Sequence, residues 1–242
     1  MTSSIGFILL LISPLTGSPG VVRSQAPPDS VVYYLNPASR LVVKTGKAGL
    51  LGFAGHTHVI RARAVAGQLV YRPASGGSYL RLEVPTDSLE VLTPPDTAEI
   101  RKVTQAMRTQ VLHVDKYPRM TFAADSLSAR RGKMTMQLAV TMEGTTRQIP
   151  VRADVTISPD IIRAIGTFEA KQTDFGIKPY RGGPAGTVKV ADRITFCFDL
   201  VGVRAGAQHP GAQTRTGDND ATNVPGCVDK PTEHPDSAVR PL

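Results

Sequence analysis

The amino-acid sequence predicts an all-β fold: an antiparallel β-barrel with one inserted α-helix. Apolar and polar residues alternate with period two along most of the segment between Val31 and Val201, which is the pattern of half-buried strands. Turn sequences rich in glycine, proline and serine separate the alternating runs. The chain has no rhythm of alternating strands and helices, and closure into a barrel removes the strand edges that invite aggregation.

The strongest strand signal is the apolar face formed by Met134, Met136, Leu138, Val140 and Met142. The runs Ile149–Ile157, Ile194–Leu200 and Leu80–Val84 alternate in the same way. Weaker strand candidates are Val31–Leu35, Arg40–Thr45, His58–Ala64, Gln68–Tyr71, Arg119–Asp125 and Ile162–Ala170. A barrel of about eight strands has room inside for side chains or one small ligand.

One segment departs from period two and predicts a helix. Its apolar residues recur at helical spacing: Ile100, Val103, Met107 and Val111. Asp96 lies three residues before Glu99, as in a capping box, and Pro118 prevents extension further along the chain. These signals predict a helix over Thr97–Leu112, inserted between strands.

The two ends of the chain differ in composition from the predicted barrel. The apolar run Ile5–Ile12 is too short to span a bilayer as a helix, and Ser24–Ala26 has the small-x-small form of a cleavage site. We expect a signal peptide over residues 1–26, a barrel domain over 27–203, and a periplasmic or secreted protein. Residues 204–242 have few large apolar side chains and predict a disordered tail.

Charge and cysteine content restrict the partners. The formal net charge is +8, which favours contact with anionic surfaces such as a membrane. Aromatic residues make up 5% of the chain and tryptophan is absent, so stacking on nucleic-acid bases is not expected. Cys197 and Cys227 form either a disulfide or two free thiols, and the sequence does not decide between them. A homodimer is also left open.

Four motifs, in order along the chain, together resemble one known family. They are Gly52–His58, Val111–Phe122, Leu138–Val151, and Thr173–Pro179 followed by Gly186–Asp192. These segments resemble the G-x-x-x-H-x-H element, the Lys-Tyr-Pro segment, the Gly-x-Thr-Arg hairpin and the Asp-Phe-Gly-Ile close of the YceI-like family. The resemblance covers about Val31 to Val203. Two departures are Thr109, after Arg108, and Glu143, where the family often has an aspartate and a histidine or asparagine.

The resemblance implies a lipocalin-like barrel with a long apolar pocket, in an exported protein that binds a polyisoprenoid or similar amphiphilic lipid. The ligand's head is left open between a quinone and a phosphate, as in a prenyl phosphate. The methionine-rich face predicts an adaptable apolar wall. The predicted ligand-binding residues are His56, His58, Phe122, Met136, Leu138, Phe168 and Phe175.

Three alternatives accompany this prediction. His56, His58 and His113 are the candidate ligands of a metal-binding protein or metal-dependent enzyme. An outer-membrane barrel is compatible with the alternation but not with the scarce aromatics, the helix or the polar tail. Enzymatic activity is not expected, and no cofactor is predicted. The Asp174-Phe175-Gly176 sequence lacks the other kinase motifs, and Cys197 lies in an apolar strand.

Overall fold

The computed structural model describes residues 29–47, 57–74, 76–92, 97–182 and 188–207, together with Val224. Within these ranges the chain forms one α-helix and thirteen strands, and every pair of neighbouring strands is antiparallel. The helix is α1 (Thr97–Ala106), and the strands are β1 (Val31–Leu35), β2 (Arg40–Lys47), β3 (Val59–Ala62), β4 (Ala66–Tyr71), β5 (Tyr79–Pro85), β6 (Leu89–Val91), β7 (Arg119–Ala124), β8 (Leu127–Arg130), β9 (Lys133–Met142), β10 (Thr145–Ile157), β11 (Ile161–Lys171), β12 (Arg181–Gly182) and β13 (Val188–Arg204).

Eight strands close into a barrel, as predicted. Their order is β1-β4-β5-β7-β9-β10-β11-β13, and β13 then pairs with β1. In this closing pair Tyr33 lies opposite Arg204 and Leu35 opposite Gly202. The first and last strands of the domain therefore complete the wall.

The 17-residue strand β13 holds two segments of the chain on one of its edges. Its last residues pair with β1, and its earlier residues pair with β2, where Phe198 lies opposite Leu41. From β2 the sheet continues through β3 to β6, whose second edge is not paired with a strand among the described residues.

The inserted helix covers that edge with side chains. The Val91 N–H donates to Thr104 Oγ1 at 3.1 Å, and Arg108 donates through Nε and Nη2 to the Leu89 carbonyl at 3.2 and 3.0 Å. These bonds satisfy backbone groups that would otherwise lack partners. We call this end of the barrel the helix end.

The helix prediction is confirmed with one change. The α-helix ends at Ala106, and Met107–Val111 form a wider π-helical turn, in which the Leu112 N–H donates to the Met107 carbonyl at 2.9 Å. Met107 is buried in the core, whereas its exposed neighbours face outward. His113 has a positive φ of 42°, which ends the turn. The predicted cap at Asp96 lies outside the described residues.

The alternating residues face inward and outward as predicted. On β13, Phe196 and Phe198 lie in the core, and their outward neighbours alternate with them. Sequence reasoning missed β8 because Leu127–Arg130 contains only one large apolar residue. It also placed His58 in a strand, but β3 begins at Val59.

On the outer face, one charged side chain among the described residues is buried. Asp199 is 2% exposed and accepts hydrogen bonds from Arg163 Nε and Nη2, each at 2.7 Å, and from Arg40 Nη2 at 3.0 Å. Burial by itself raises the pKa of this carboxyl, but the bonds from Arg163 and Arg40 outweigh it and hold the pKa below the ordinary aspartate value. The cluster joins β11, β13 and β2.

The outer face also carries a second, smaller apolar cluster. Val42, Cys197 and Val224 are fully buried, with Val59 packed against them. Cys197 is disulfide-bonded, and Cys227 is the one other cysteine of the chain. Within the segment predicted to be a disordered tail, Arg204 belongs to β13 and Val224 packs in this cluster. The rest of the tail beyond Ala207 and the predicted signal peptide lie outside the described residues. Within the described ranges, no helix is long and apolar enough to cross a membrane.

We expect Asp199→Asn to lower the free energy of unfolding by about 2 kcal/mol at neutral pH, because two arginines lose a charged acceptor. A carboxyl whose pKa is depressed in the folded protein stabilises the fold at pH values above its unfolded pKa. This stabilisation is lost as the pH falls through the folded pKa. The difference between the two chains should therefore shrink below about pH 4. Urea unfolding at several pH values measures both effects.

Asp154→Asn is the matched control, because Asp154 pairs with Lys133 and both side chains are exposed. It should cost less than about 1 kcal/mol. Equal costs for the two variants would show that the buried cluster does not stabilise the barrel.

Candidate functional site

The barrel contains a cavity in the half that lies away from α1. It is lined by Tyr33, Leu35, Leu41, Gln68, Leu69, Leu80, Leu82, Phe122, Leu127, Met134, Met136, Leu138, Val151, Ala153, Ile162, Ala164, Phe168, Phe198, Leu200 and Gly202. All of these except Tyr33 and Gln68 are apolar. The lining comes from β1, β2, β4, β5, β7, β8, β9, β10, β11 and β13, so it exists only in the closed barrel.

The cavity is narrow, with a volume of about 80 Å³. Pockets for small molecules span roughly 300–1,000 Å³. A ligand chain therefore fits only where the lining side chains move aside.

A phenylalanine cluster bounds the cavity on the side of the helix end. Phe168 and Phe196 stack with ring centroids 4.7 Å apart, and Phe122 meets them edge-on at 6.5 and 5.9 Å. Beyond the cluster the core is packed, because Val84 and Val140 are fully buried and do not line the cavity. The cavity therefore extends toward the opposite end of the barrel, which we call the cavity end.

Small residues leave space open on the side of this cluster that faces the cavity end. Ala153 lies opposite Gly166, and Ala164 lies opposite Leu200. A Cβ on Gly166 would lie 2.7 Å from Phe198 Cζ and 2.9 Å from the Arg152 carbonyl oxygen. Glycine at this position therefore lets the Phe198 ring lie against the wall.

Polar groups occur where the lining reaches the cavity end. The Tyr33 hydroxyl donates to the Ser158 carbonyl at 3.3 Å, and the side chain is almost fully buried. Burial raises the pKa of Tyr33; Arg204 opposes the rise, while Tyr71 and Asp160 add to it. The phenol is therefore neutral at physiological pH, and Arg204 provides an exposed cation beside it.

The structure brings together four of the predicted ligand-binding residues: Phe122, Met136, Leu138 and Phe168 all line the cavity. Phe175 does not line it. Phe175 ends the 3₁₀ turn Gln172–Phe175 after β11 and is 1% exposed in the packed core. His58 does not line it either, because it precedes β3, where its N–H donates to Thr45 Oγ1 at 3.2 Å. His56 lies outside the described residues.

The third histidine of the metal alternative has a different partner. His113 Nδ1 lies 2.7 Å from Glu143 Oε1, which joins the loop after α1 to the turn between β9 and β10. Within the described ranges, no group of three or more His, Cys, Asp or Glu side chains is placed to hold a metal ion.

Sequence reasoning missed several lining residues of the first half of the chain, among them Tyr33 and Leu69. Parts of the segments Val31–Leu35 and Ala66–Tyr71 carry apolar residues on both faces. The period-two pattern therefore does not show which of their residues face inward. The available signal was the glycines, since Gly67 and Gly202 mark close approaches of neighbouring strands.

Comparison with known proteins agrees with this architecture. The sequence model of the YceI-like domain matches residues 33–202, which is most of the chain. The chain therefore belongs to the YceI-like family. No curated protein matches its sequence.

Two solved structures share the fold at low sequence identity. One is BcnA of Burkholderia cenocepacia, with a TM-score of 0.54 and 16% identity over 69% of this chain and 98% of BcnA. The other is a polyisoprenoid binding domain from Saccharophagus degradans implicated in plant cell wall breakdown. Its TM-score is 0.53, with 15% identity over 72% of this chain and 98% of that domain.

We expect Phe168→Ala to lower the free energy of unfolding by about 3–5 kcal/mol, because it removes a ring that packs between the cavity and the closed core. Denaturant unfolding followed by circular dichroism measures the change. Thr167→Ala is the neighbouring outward control and should change stability by less than about 0.5 kcal/mol. A cost below about 1 kcal/mol for Phe168→Ala would contradict tight packing of the cluster.

Proposed function

We propose that this protein binds the apolar chain of a polyisoprenoid or similar amphiphilic lipid inside the barrel and carries it through water. The observation that supports this most directly is the narrow cavity, whose lining is apolar apart from Tyr33 and Gln68. The family assignment supports it as well, since a structural neighbour is a polyisoprenoid binding domain.

The energetics favour a chain of this kind. Each buried CH₂ group contributes about 0.8 kcal/mol, so ten carbons contribute on the order of several kcal/mol before ordering costs. The methionine side chains at positions 134 and 136 are flexible and polarisable, and they can adjust to a branched chain. Water in the cavity would find few hydrogen-bond partners, because almost no polar atom lines the space.

The chemistry of the cavity end bears on the head group. Arg204 suits the anionic head of a prenyl phosphate, and the neutral phenol of Tyr33 suits a quinone carbonyl once its O–H turns away from the Ser158 carbonyl. Extraction of the lipid from protein purified without detergent, followed by mass spectrometry, distinguishes the two heads.

We expect Ala164→Phe to abolish most lipid binding while the barrel still folds. Ala164 lines the cavity, and a phenyl ring there occupies the space of the ligand chain. Binding of a fluorescent farnesyl probe should weaken by about tenfold or more, because several apolar contacts are lost. The stability cost should stay within about 1–3 kcal/mol.

Ala123→Phe is the matched control, because Ala123 lies on the outward face of β7, between the cavity-lining Phe122 and the buried Ala124. It should leave probe affinity unchanged. If native mass spectrometry finds no copurified lipid and the two variants bind the probe equally, the proposal is wrong.

The proposal includes export to the periplasm or the exterior. Its support is the short apolar run near the N-terminus together with the disulfide at Cys197, because structural disulfides persist in oxidising compartments. No catalytic role is included. A homodimer stays an expectation from the sequence, which light scattering can test.

We expect the chain to be recovered from the periplasmic or extracellular fraction with Cys197 blocked to alkylation until a reductant is added. Mass spectrometry after alkylation in denaturant, with and without reductant, measures this, since Cys197 is fully buried in the folded chain. A chain that stays in the cytoplasm with both thiols modified before reduction would contradict export.

A further inference from the structure

The exposed apolar side chains of the barrel are gathered at the cavity end. Among the described residues, two large apolar side chains are exposed: Tyr34 at 55% and Ile157 at 39%. Tyr34 and Ile161 lie on the outward face, on either side of the buried Val203. Ile157 pairs with Ile162, which lines the cavity, so Ile157 lies on the inward face at the end of β10. The residues Tyr34, Ile157 and Ile161, at the cavity ends of β1, β10 and β11, are called the apolar strip.

A cationic turn lies beside this strip. Arg130 and Arg131 are exposed at the turn between β8 and β9, followed by Lys133. The Val155 N–H donates to the Gly132 carbonyl at 2.8 Å, which fixes this turn two residues from Ile157 along β10. We define the rim patch as the strip together with Arg130 and Arg131.

The charges around the rim patch are mostly positive. Lys133 pairs with Asp154, but Arg130 and Arg131 form no ion pair with a described residue. Arg163 and Arg40 both bond the carboxylate of Asp199. The described acidic groups nearby include Asp160, in the turn between β10 and β11, and Asp29, which precedes β1.

The combination fits one kind of partner. Exposed isoleucine and tyrosine beside arginines insert into the boundary between head groups and acyl chains of an anionic bilayer, where the apolar groups leave water and the cations meet lipid phosphates. Binding of a protein partner would not require apolar and cationic side chains together at the cavity end. The location matters, because a lipid that leaves a membrane must enter the barrel without crossing water.

We infer that the rim patch docks the cavity end of the barrel on an anionic membrane surface, so that the lipid chain exchanges directly between bilayer and cavity. The inference rests on the proposed lipid-binding function. It assigns to Arg130, Arg131, Ile157 and Tyr34 a role in docking, separate from the residues that line the cavity.

The test is flotation of the full chain with vesicles of phosphatidylcholine containing 30% phosphatidylglycerol. The first variant is Arg130→Gln combined with Arg131→Asn. Arg131 has a φ of 49° and is followed by Gly132 with a φ of 75°. Asn-Gly is favoured in such a turn, so this variant keeps the hairpin. Its affinity should fall on the order of 20-fold. Ile157→Ser should lower the affinity by about tenfold.

The matched control is Arg101→Gln combined with Lys102→Gln, two exposed cations on α1 at the helix end. It removes the same net charge and should leave vesicle affinity within about twofold, because these groups lie far from the docked surface. Equal losses for the two double variants would overturn the inference in favour of non-specific charge attraction. Unchanged binding of every variant would overturn it as well.

Probe binding in the absence of vesicles separates this inference from the function on which it rests. The rim-patch variants should bind the farnesyl probe as the unaltered chain does. If no form binds the probe, the proposed function fails. If all forms bind it and the rim-patch variants still dock normally, only the docking inference fails. If Tyr34→Ser dissociates a dimer without changing vesicle affinity, the rim patch is a contact between copies and the inference is wrong.

Discussion

The pairing of β1 with β13 is the constraint on which the rest of the molecule depends. Three residue pairs join the first strand of the domain to the last, and they convert a long sheet into a tube. Without this closure, the apolar faces of eight strands would be open to water and the strand edges would be available to other chains. The contacts that close the tube are separated by almost the whole domain, so the interior forms only when the chain is complete.

Closure alone does not make a carrier, because the two ends of the tube are built differently. At the helix end, α1 and the π-helical turn after it cover the second edge of β6, and Met107 joins a packed core. At the cavity end, the same alternation of strands surrounds a narrow space. The phenylalanine cluster of Phe122, Phe168 and Phe196 separates the two regions. This asymmetry gives the barrel one receptive end, and the proposed lipid binding and membrane docking both follow from it.

The outer surface stabilises the strand that carries the most pairings. Asp199 joins β13 to β11 and β2 through Arg163 and Arg40, and the neighbouring outward residue Cys197 is disulfide-bonded and packed against Val42 and Val224. Both features lie on β13, next to the site where β1 and β2 share one edge. The outer surface therefore stabilises the wall without filling the interior, and the cavity can remain empty of side chains.

The sequence by itself determined most of the barrel strands, the inserted helix and the inward direction of the apolar residues, because period two and helical spacing are local properties. It therefore identified Phe122, Met136, Leu138 and Phe168 as cavity residues. Only the tertiary structure decided where the interior is hollow. Met136 lines the cavity and Val140, on the same face of β9, does not. The physical reason is strand register, which places the small residues Ala153, Ala164 and Gly202 around one part of the barrel and the three phenylalanines around another. Phe175 follows the strands, in the 3₁₀ turn after β11, and its side chain lies in the packed core.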